Sequence, residues 1–392
     1  MKLFQQMLVV CVPLSLLTPS IAQASDVNVE EMTSYSRSRK SSTKLLDSKT
    51  FSKEIVNTNE RVDNIESKIN EFEAGSFSDT TVLDGKVIFD LGSVDADDTY
   101  NGASQFMYTY TMNLNTSFNG DDNLYTRIKT GNHTSWSKTK SHYNTYLSSG
   151  NGNANQLKVD KLWYTTQVGE KHTVTVGPLI ENYYMHATTP SIYEPVLKAF
   201  TLGGNAAGYG ASTSPGAGWA YRADNGFAVS SNVTSKNPIL TEEGKSSWAT
   251  QVGYTKPNYS LSALLNIKAN GWTDSYFMST DGRARPGEGG STNQAYRAWW
   301  RPDNSSTAMP SISVGYDFSE TDASSNSNTH AYFLGLNWVD VINPDDKIGM
   351  ALGRPQTVED ETIDPFLYEL YYKFKVNDSI TMTPTLFGGT SK

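Results

Sequence analysis

Cysteine and long apolar runs are both scarce in this chain. Cys11 is the only cysteine among 392 residues, and it lies inside an N-terminal apolar segment. Disulfide frameworks, cysteine metal sites and cysteine nucleophiles are therefore excluded from the rest of the chain. With 37% hydrophobic residues and no later apolar window of about 18 residues, a helical membrane protein is also excluded. Strands that alternate apolar and polar residues stay possible, because they leave only a weak hydropathy signal.

Catalytic and metal-binding patterns are also lacking. The sequence has no G-x-S-x-G elbow and no Walker loop. Two acidic clusters, 95–98 and 119–122, lack the ordered spacing of a calcium loop. No two histidines have metal-ligand spacing: they are His133, His142, His172, His186 and His330. We therefore expect no metal, no cofactor and no catalytic residue, and the net charge of −9 argues against nucleic acid as a partner.

The N-terminus has the organisation of a secretory signal peptide. Lys2 precedes an apolar run from Met7 to Leu17, and Ala22-Gln23-Ala24 follows it. This order predicts a signal peptide over residues 1–24, with cleavage after Ala24. The alternative is a membrane anchor, for which the run is well short of the ~20 residues that a spanning helix needs.

Residues 25–74 divide into a linker and a helical stalk. Residues 25–50 are rich in Ser, Lys and Arg and predict a flexible linker, whose basic cluster either contacts anionic polymer or is simply solvated. Over residues 51–74 the period becomes helical, with a glycine stop at Gly75. Apolar residues in the two seam positions predict a coiled coil that leans toward a trimer: they include Ile55, Val62, Ile65, Ile69 and Phe72. The alternative is a single amphipathic helix packed on the remaining domain.

From residue 76 onward the apolar period is two. In the run 106–114, Phe106, Tyr108 and Tyr110 share one face, while Thr109 and Thr111 share the other. The same division recurs in runs of about nine to eleven residues, the length that a tilted strand needs to cross a bilayer. The 22 Tyr, 15 Phe and 8 Trp suit the aromatic girdles of such a structure.

The connections between these runs alternate in length. Turns at 223–226, 256–258 and 377–378 are short, whereas the insertions 131–156, 180–215, 269–293 and 319–328 are long and polar. Short turns at one end and long loops at the other are typical of an outer-membrane barrel. We find about fifteen candidate strands, and an even number is usual for a single-chain barrel. The sequence therefore predicts an all-β fold, an antiparallel transmembrane β-barrel of about 16 strands over residues 76–392.

Charged residues on the polar faces are candidates for the pore lining, because a charge facing lipid costs ~2–4 kcal/mol at the midplane. These candidates are Arg127, Lys129, Arg297, Arg301, Glu369, Lys373 and Lys375. The long insertion after residue 180 can fold inward and narrow the channel. Its candidate constriction residues are Tyr183, Tyr184, Glu194 and Lys198. The tyrosines either offer a surface to sugar rings or pack the insertion onto the wall.

Several motifs resemble a known family. The run Val159-Asp160-Lys161-Leu162-Trp163-Tyr164, the ending 369–384 and the junction 72–78 are similar to cyanobacterial outer-membrane porins. Those proteins carry an S-layer-homology domain, a coiled coil and a barrel related to the carbohydrate-selective porins, and the similarity spans most of the chain. The resemblance implies a trimeric, roughly sixteen-stranded channel for small solutes, including inorganic ions.

Two departures from the family are visible. Only a short linker precedes the coiled coil, so the wall-binding domain is missing and a tether to peptidoglycan-linked polymer is doubtful. The chain ends at Gly388-Gly389-Thr390-Ser391-Lys392 without an aromatic terminal residue, so we expect a shortened closing strand.

The sequence favours a passive porin of the cell outer membrane that passes small hydrophilic solutes, inorganic ions and possibly sugars, as a homotrimer. Two alternatives stay open: an exported soluble β-protein that binds polysaccharide, and an outer-membrane hydrolase.

Overall fold

The structure, a computed structural model, describes residues 9–12 and 80–390. Within the second range the following are not described: 97–99, 139–143, 205–206, 211–212, 237, 240, 273–288, 304–308, 323–327 and 360. The predicted linker, the predicted coiled coil and most of the predicted signal peptide therefore lie outside the described residues. They stay predictions.

The described part of the chain is almost entirely β-structure. Its strands are Val9–Val12 (β1), Thr81–Gly92 (β2), Asp95–Ala96 (β3), Tyr100–Asn101 (β4), Gln105–Thr116 (β5), Asp122–Gly131 (β6), Lys158–Val168 (β7), His172–Ile180 (β8), Ser214–Arg222 (β9), Phe227–Ser235 (β10), Ser246–Lys256 (β11), Tyr259–Ala269 (β12), Ser291–Trp300 (β13), Ser311–Thr321 (β14), Asn328–Val339 (β15), Lys347–Val358 (β16), Phe366–Asn377 (β17) and Ile380–Thr390 (β18). Short 3₁₀ helices cover Ser135–Lys138, Asn182–Met185 and Lys198–Gly203. No helix among the described residues is long and apolar enough to cross a membrane.

One antiparallel sheet contains β2 and every strand from β5 to β18, each paired with its neighbour in sequence. The order of the sheet is thus a simple up-and-down meander, as the short turns predict. β1 pairs with β18 on one side and with β2 on the other. In the part of the chain that the structure describes, β2 and β18 do not pair with each other directly. β3 and β4 form a small hairpin between β2 and β5.

The two faces of this sheet have the opposite polarity to those of a soluble protein. On β12, Leu261 faces outward and is 56% exposed, whereas its neighbour Ser260 faces inward and is 1% exposed. The exposed apolar set includes Phe106, Val233, Trp248, Tyr296 and Leu370. Because exposed apolar side chains suit hydrocarbon rather than water, this face is the lipid-facing surface. The predicted alternation is confirmed.

The turns and loops also follow the prediction. β9 and β10, β11 and β12, and β17 and β18 are joined by short turns, while β6 and β7, and β8 and β9, are joined by long insertions. The expected shortening of the closing strand is wrong. β18 has eleven residues and pairs with β17 from Ile380 to Thr390, because the alternation of apolar and polar residues continues through Phe387.

The interior of the barrel is filled on one side by residues 181–213, which connect β8 to β9 and which we call the inner segment. Tyr193, Leu197 and Phe200 of this segment pack with inward-facing Phe333 and Tyr371 in the largest buried apolar cluster. The segment also reaches inward polar side chains from β10 to β17. Its fold therefore decides how much of the interior stays open.

Candidate pore constriction

Glycine on the barrel wall lets the inner segment approach closely. A Cβ atom at Gly315 on β14 would collide with the carbonyl oxygen of Gly203. Gly203 and Gly204 themselves have positive φ values, which L side chains rarely adopt. The chain therefore turns at this point directly against the wall.

Glu369 on β17 is the main anchor of the inner segment. Its Oε1 accepts hydrogen bonds from the Tyr193 hydroxyl at 2.8 Å and from the Val196 backbone N–H at 3.1 Å. Its Oε2 accepts the Leu197 N–H at 2.6 Å. Glu369 is 1% exposed, so it faces inward as predicted but is covered. The structure therefore places Glu369 beneath the inner segment, where both of its oxygens accept hydrogen bonds from that segment.

Arg297 on β13 is also covered rather than exposed to the channel. Its guanidinium pairs with Asp317 at 2.9 Å and donates to the Leu202 carbonyl at 2.8 Å. Arg297 is 3% exposed. A buried charge needs a partner to offset its desolvation, and Asp317 supplies one. The structure thus places Arg297 facing inward, as an anchor of the inner segment.

Glu194 joins the inner segment to two lysines of the wall. Its carboxylate pairs with Lys373 on β17 at 2.8 Å and also with Lys347 on β16. Burial alone would raise the pKa of Glu194, but Lys373 and Lys347 outweigh it and lower the pKa to about 2. The three side chains stay partly exposed. The structure places Glu194 and Lys373, two of the residues named from the sequence, together in this group.

Tyr183 and Tyr184 pack the start of the inner segment onto the wall. Their ring centroids are 4.4 Å apart, and Tyr184 lies 4.6 Å from Trp163 on β7. Trp163 in turn lies 4.3 Å from Tyr125 on β6. The Arg127 guanidinium donates to the Tyr184 hydroxyl at 3.3 Å. Of the two interpretations of these tyrosines, the geometry favours packing over an open surface for sugar rings.

A β-bulge on β7 places two consecutive charges on the inner face. The pairing of β6 with β7 shifts by one residue between Arg127 and Ile128, and Asp160 is the extra residue. Asp160 binds Arg127 through two hydrogen bonds of 2.8 and 2.6 Å, while Lys161 pairs with Glu181 of the inner segment at 3.0 Å. The sequence analysis missed Asp160 and Lys161, because a strict period of two cannot place both neighbours inside. It missed Glu181 because this residue lies outside any strand, where the period gives no direction.

Cations dominate the interior beside β2 and β6. Lys86 and Lys129 flank Thr111 in one inward row. Since neighbouring strands lie about 4.8 Å apart, their backbones are roughly 10 Å from each other. Lys86 is exposed and Lys129 half-buried, and Lys198 of the inner segment acts electrostatically on Lys129. The predicted residues Arg127, Lys129 and Lys198 thus come together here.

Two further predicted residues lie at the short-turn end. Arg301 follows the end of β13 and donates to the Pro257 carbonyl at 2.7 Å. Lys375 faces inward near the end of β17 and pairs with Asp345 at 2.8 Å. Both are exposed. They belong to the rim, whereas the sequence pattern predicted that they line the pore.

Side chains of an aspartate, a histidine and a serine contact one another in the interior, the residue types of a hydrolase triad. Asp90 Oδ2 lies 3.1 Å from His133 Nε2, and His133 Nδ1 lies 3.2 Å from Ser137 Oγ. Ser137 is fully buried, with its hydroxyl against Met107 Sδ and the Thr134 carbonyl. A nucleophile must reach its substrate, and the buried Ser137 hydroxyl does not. We therefore interpret these contacts as structural: they hold the loop after β6 against the barrel wall. Among the described residues, no cluster of three metal-binding side chains occurs.

Comparison with known proteins agrees with this architecture. Residues 56–387 match the model of the carbohydrate-selective porin, OprB family. The chain belongs to this family. The resemblance found in the sequence is thereby confirmed, and the protein is an outer-membrane porin channel rather than an enzyme or a soluble binding protein.

Individual relatives are distant. An uncharacterised protein of Synechocystis sp. (strain ATCC 27184 / PCC 6803 / Kazusa) is 25% identical over 384 residues, which cover 85% of this chain and 69% of the relative. An uncharacterised protein of Nostoc sp. (strain PCC 7120 / SAG 25.82 / UTEX 2576) is 29% identical over 47% of this chain and 32% of its own length. The structure of Pseudomonas putida OprB has a TM-score of 0.52 and 13% identity, covering 82% of this chain and 96% of that one, and it shows the same fold.

Proposed function

We propose that this porin is a passive diffusion channel that prefers small anions and neutral solutes, sugars among them, to cations. The observation that carries the proposal is the charge on the open side of the interior. Inward residues of β9 to β16 are mostly buried beneath the inner segment. The exposed and half-buried charges lie instead around β2, β6, β16 and β17, so solutes pass on that side.

Cations outnumber carboxylates along this passage. The cations are Lys86, Arg127, Lys129, Lys198, Lys347 and Lys373, and the carboxylates are Asp84, Asp160, Glu181 and Glu194. Among the described residues, no ion pair includes Lys129. The acidic residues that give the whole chain its negative charge lie largely in loops, where salt screens them within ~8–10 Å. Charges in a narrow lumen act on every solute that passes.

The family description supports sugars as neutral solutes, but Tyr183 and Tyr184, the aromatic candidates of the described inner segment, offer them no open surface. Tyr183 and Tyr184 stack toward Trp163 and hold the inner segment in place. We infer that sugars pass because they fit and carry no charge, rather than because aromatic rings bind them. Permeation is then set by the width of the passage and by its charge.

Export and assembly complete the proposal. A signal peptide over residues 1–24 directs the chain out of the cytoplasm, and the coiled coil over residues 51–74 joins three copies. Ile55, Val62, Ile65, Ile69 and Phe72 form the seam of this trimer. The bilayer of the outer membrane is the partner of the apolar outer face, and a tether to peptidoglycan-linked polymer is not part of the proposal.

The test is the reversal potential of single channels across a salt gradient. Wild-type channels should prefer chloride to potassium weakly, and Lys86→Glu with Lys129→Glu should shift the preference toward potassium. Lys171→Glu is the matched control, because Lys171 pairs with Asp224 at a short turn outside the passage. Clear potassium selectivity of the wild type would overturn the proposal and would show that loop carboxylates control the passage. Liposome swelling with neutral sugars measures their permeation separately.

A further inference from the structure

The lipid-facing surface contains a groove on β10 to β14. Its volume is about 620 Å³, within the range of small-molecule sites, ~300–1,000 Å³. Ala263 and Ala298 lie diagonally next to each other on β12 and β13 and leave a depression. Larger outward side chains border it: Phe227, Val252, Tyr254, Leu261, Tyr296, Val314 and Tyr316. The groove is thus an open apolar depression on the outside of the barrel.

One end of the groove leads to a cation. Lys256 follows Tyr254 by two residues on β11, and its Nζ lies 5.3 Å from the Tyr254 ring centroid. In the same outward row lie Tyr259 and Trp300, which are 40% and 38% exposed. Aromatic residues of this kind mark the level of the headgroups. In the part of the chain that the structure describes, no ion pair includes Lys256.

The end with Lys256 is the end of the short turns, since β11 and β12 are joined there by two residues. Short turns of such barrels face the periplasm. A lysine stem that runs along an apolar surface to the interface places its ammonium among headgroups. The groove therefore offers an apolar site of some length and, at its periplasmic end, a positive charge.

The position of the groove around the barrel favours lipid over a second copy of the chain. The predicted coiled coil ends at residue 74, just before β2 begins at Thr81, so a trimer axis passes near β2. In the order of the sheet, β12 is eight strands away from β2, on the opposite side of the barrel. This step depends on the trimer of the proposed function. It leaves the groove facing bulk bilayer.

We propose that the groove is a binding site for a phospholipid of the periplasmic leaflet. One acyl chain lies on Ala263 and Ala298 between the tyrosines, and the anionic headgroup contacts Lys256. A lysine near an anionic lipid surface contributes about 1 kcal/mol, which corresponds to roughly a fivefold preference for an anionic headgroup over a zwitterionic one.

The test is lipid retention in native mass spectrometry of the detergent-solubilised trimer. Equal amounts of dioleoylphosphatidylglycerol and dioleoylphosphatidylcholine are added, so that only the headgroup differs. Wild type should retain phosphatidylglycerol roughly fivefold more. Lys256→Gln should remove this preference, and Ala298→Trp, which fills the groove, should remove retention of both lipids.

The controls repeat both changes away from the groove. Lys171→Gln removes a lysine at another short turn, and Ala217→Trp adds a bulky side chain at an outward alanine on β9. Both should retain lipid like the wild type. Equal retention of the two lipids by the wild type, or unchanged retention by Lys256→Gln, would overturn the proposal. A folded, monomeric Ala298→Trp barrel would also overturn it, because the groove would then be an interface between copies.

The same preparations are recorded in planar bilayers. Normal conductance with no lipid preference contradicts only the lipid site, whereas absence of conductance contradicts the proposed channel. The two proposals therefore fail in distinguishable ways. Lys256→Gln changes an interfacial side chain and leaves the wall intact, so the test does not depend on how well Ala298→Trp folds.

Discussion

Glu369→Gln should loosen the inner segment. The carboxylate accepts three hydrogen bonds, two on Oε1 and one on Oε2. A glutamine has one oxygen and one NH₂ group, so in either orientation the NH₂ faces at least one backbone N–H, of Val196 or Leu197. That N–H loses its acceptor while buried. The loss of a hydrogen bond to a charged group amounts to about 1.5–3 kcal/mol.

The lost hydrogen-bond free energy sets how much more often the inner segment opens locally. At 1.4 kcal/mol per factor of ten, residues 193–199 should open roughly 10- to 150-fold more often than in the wild type. The remaining contacts of the segment, such as the Arg297 contact with the Leu202 carbonyl, are unchanged. Opening should therefore be local, and the barrel should stay folded.

Thiol labelling measures this opening directly. Ala199 is small and 3% exposed, so Ala199→Cys fits its site and reacts with a water-soluble maleimide only when the segment opens. Cys11→Ser removes the only native cysteine. Labelling in the Glu369→Gln background should be roughly 10- to 150-fold faster, with larger current noise in single channels. Asp345→Asn, which disrupts the exposed pair with Lys375, is the control. Unchanged labelling of a folded Glu369→Gln protein would refute the anchoring role.

Three further predictions follow from the same structure. Leu370→Arg, on the lipid-facing side, should destabilise the inserted barrel by ~2–4 kcal/mol and so reduce the heat-modifiable band on gels. Asn115→Arg, on the inner face, should be tolerated, and equal tolerance of both would contradict the assigned faces. Because the pKa of Glu194 is lowered to about 2, its ion pairs should contribute fully above about pH 4.3 and be lost only as the pH falls through about 2, so the ¹³C chemical shift of its side-chain carboxyl carbon should be constant from pH 7 to pH 4. A change within that range would refute the tether. Ile65→Asp with Ile69→Asp should lower the resistance of the trimer to detergent on gels, and unchanged trimers would mean that barrel contacts alone hold the assembly.

The strands could be predicted from the sequence because one rule governs them all. Apolar residues such as Leu261 and Leu370 face hydrocarbon, and their neighbours face the interior, so each strand carries its own evidence in its period. The lengths of the connections likewise predicted the end of the barrel at which each one lies, because short turns lie at one end and long loops at the other. These are local properties, readable within a dozen residues.

The partners inside the barrel could not be predicted in this way. The alternation correctly predicted that Arg297 and Glu369 face inward. It does not predict that the inner segment, more than ninety positions away along the chain, covers them. The β-bulge at Asp160 was not predicted for a different reason: one extra residue in the strand reverses the alternation of inward and outward side chains beyond it. Two consecutive charges within a strand, Asp160 and Lys161, were the available signal.

The short strand β1 has a consequence for the direction of the chain at the seam. It runs antiparallel to both β18 and β2, so β18 and β2 point the same way. Cleavage after Ala24 would remove β1 and leave β2 and β18 as the two edges of a meander with an odd number of strands. An odd meander can unite its edges only through a parallel ladder, with evenly spaced, slanted hydrogen bonds. If the proposed signal peptide is cleaved there, closure of the barrel requires either such a parallel seam or one more strand in the place of β1.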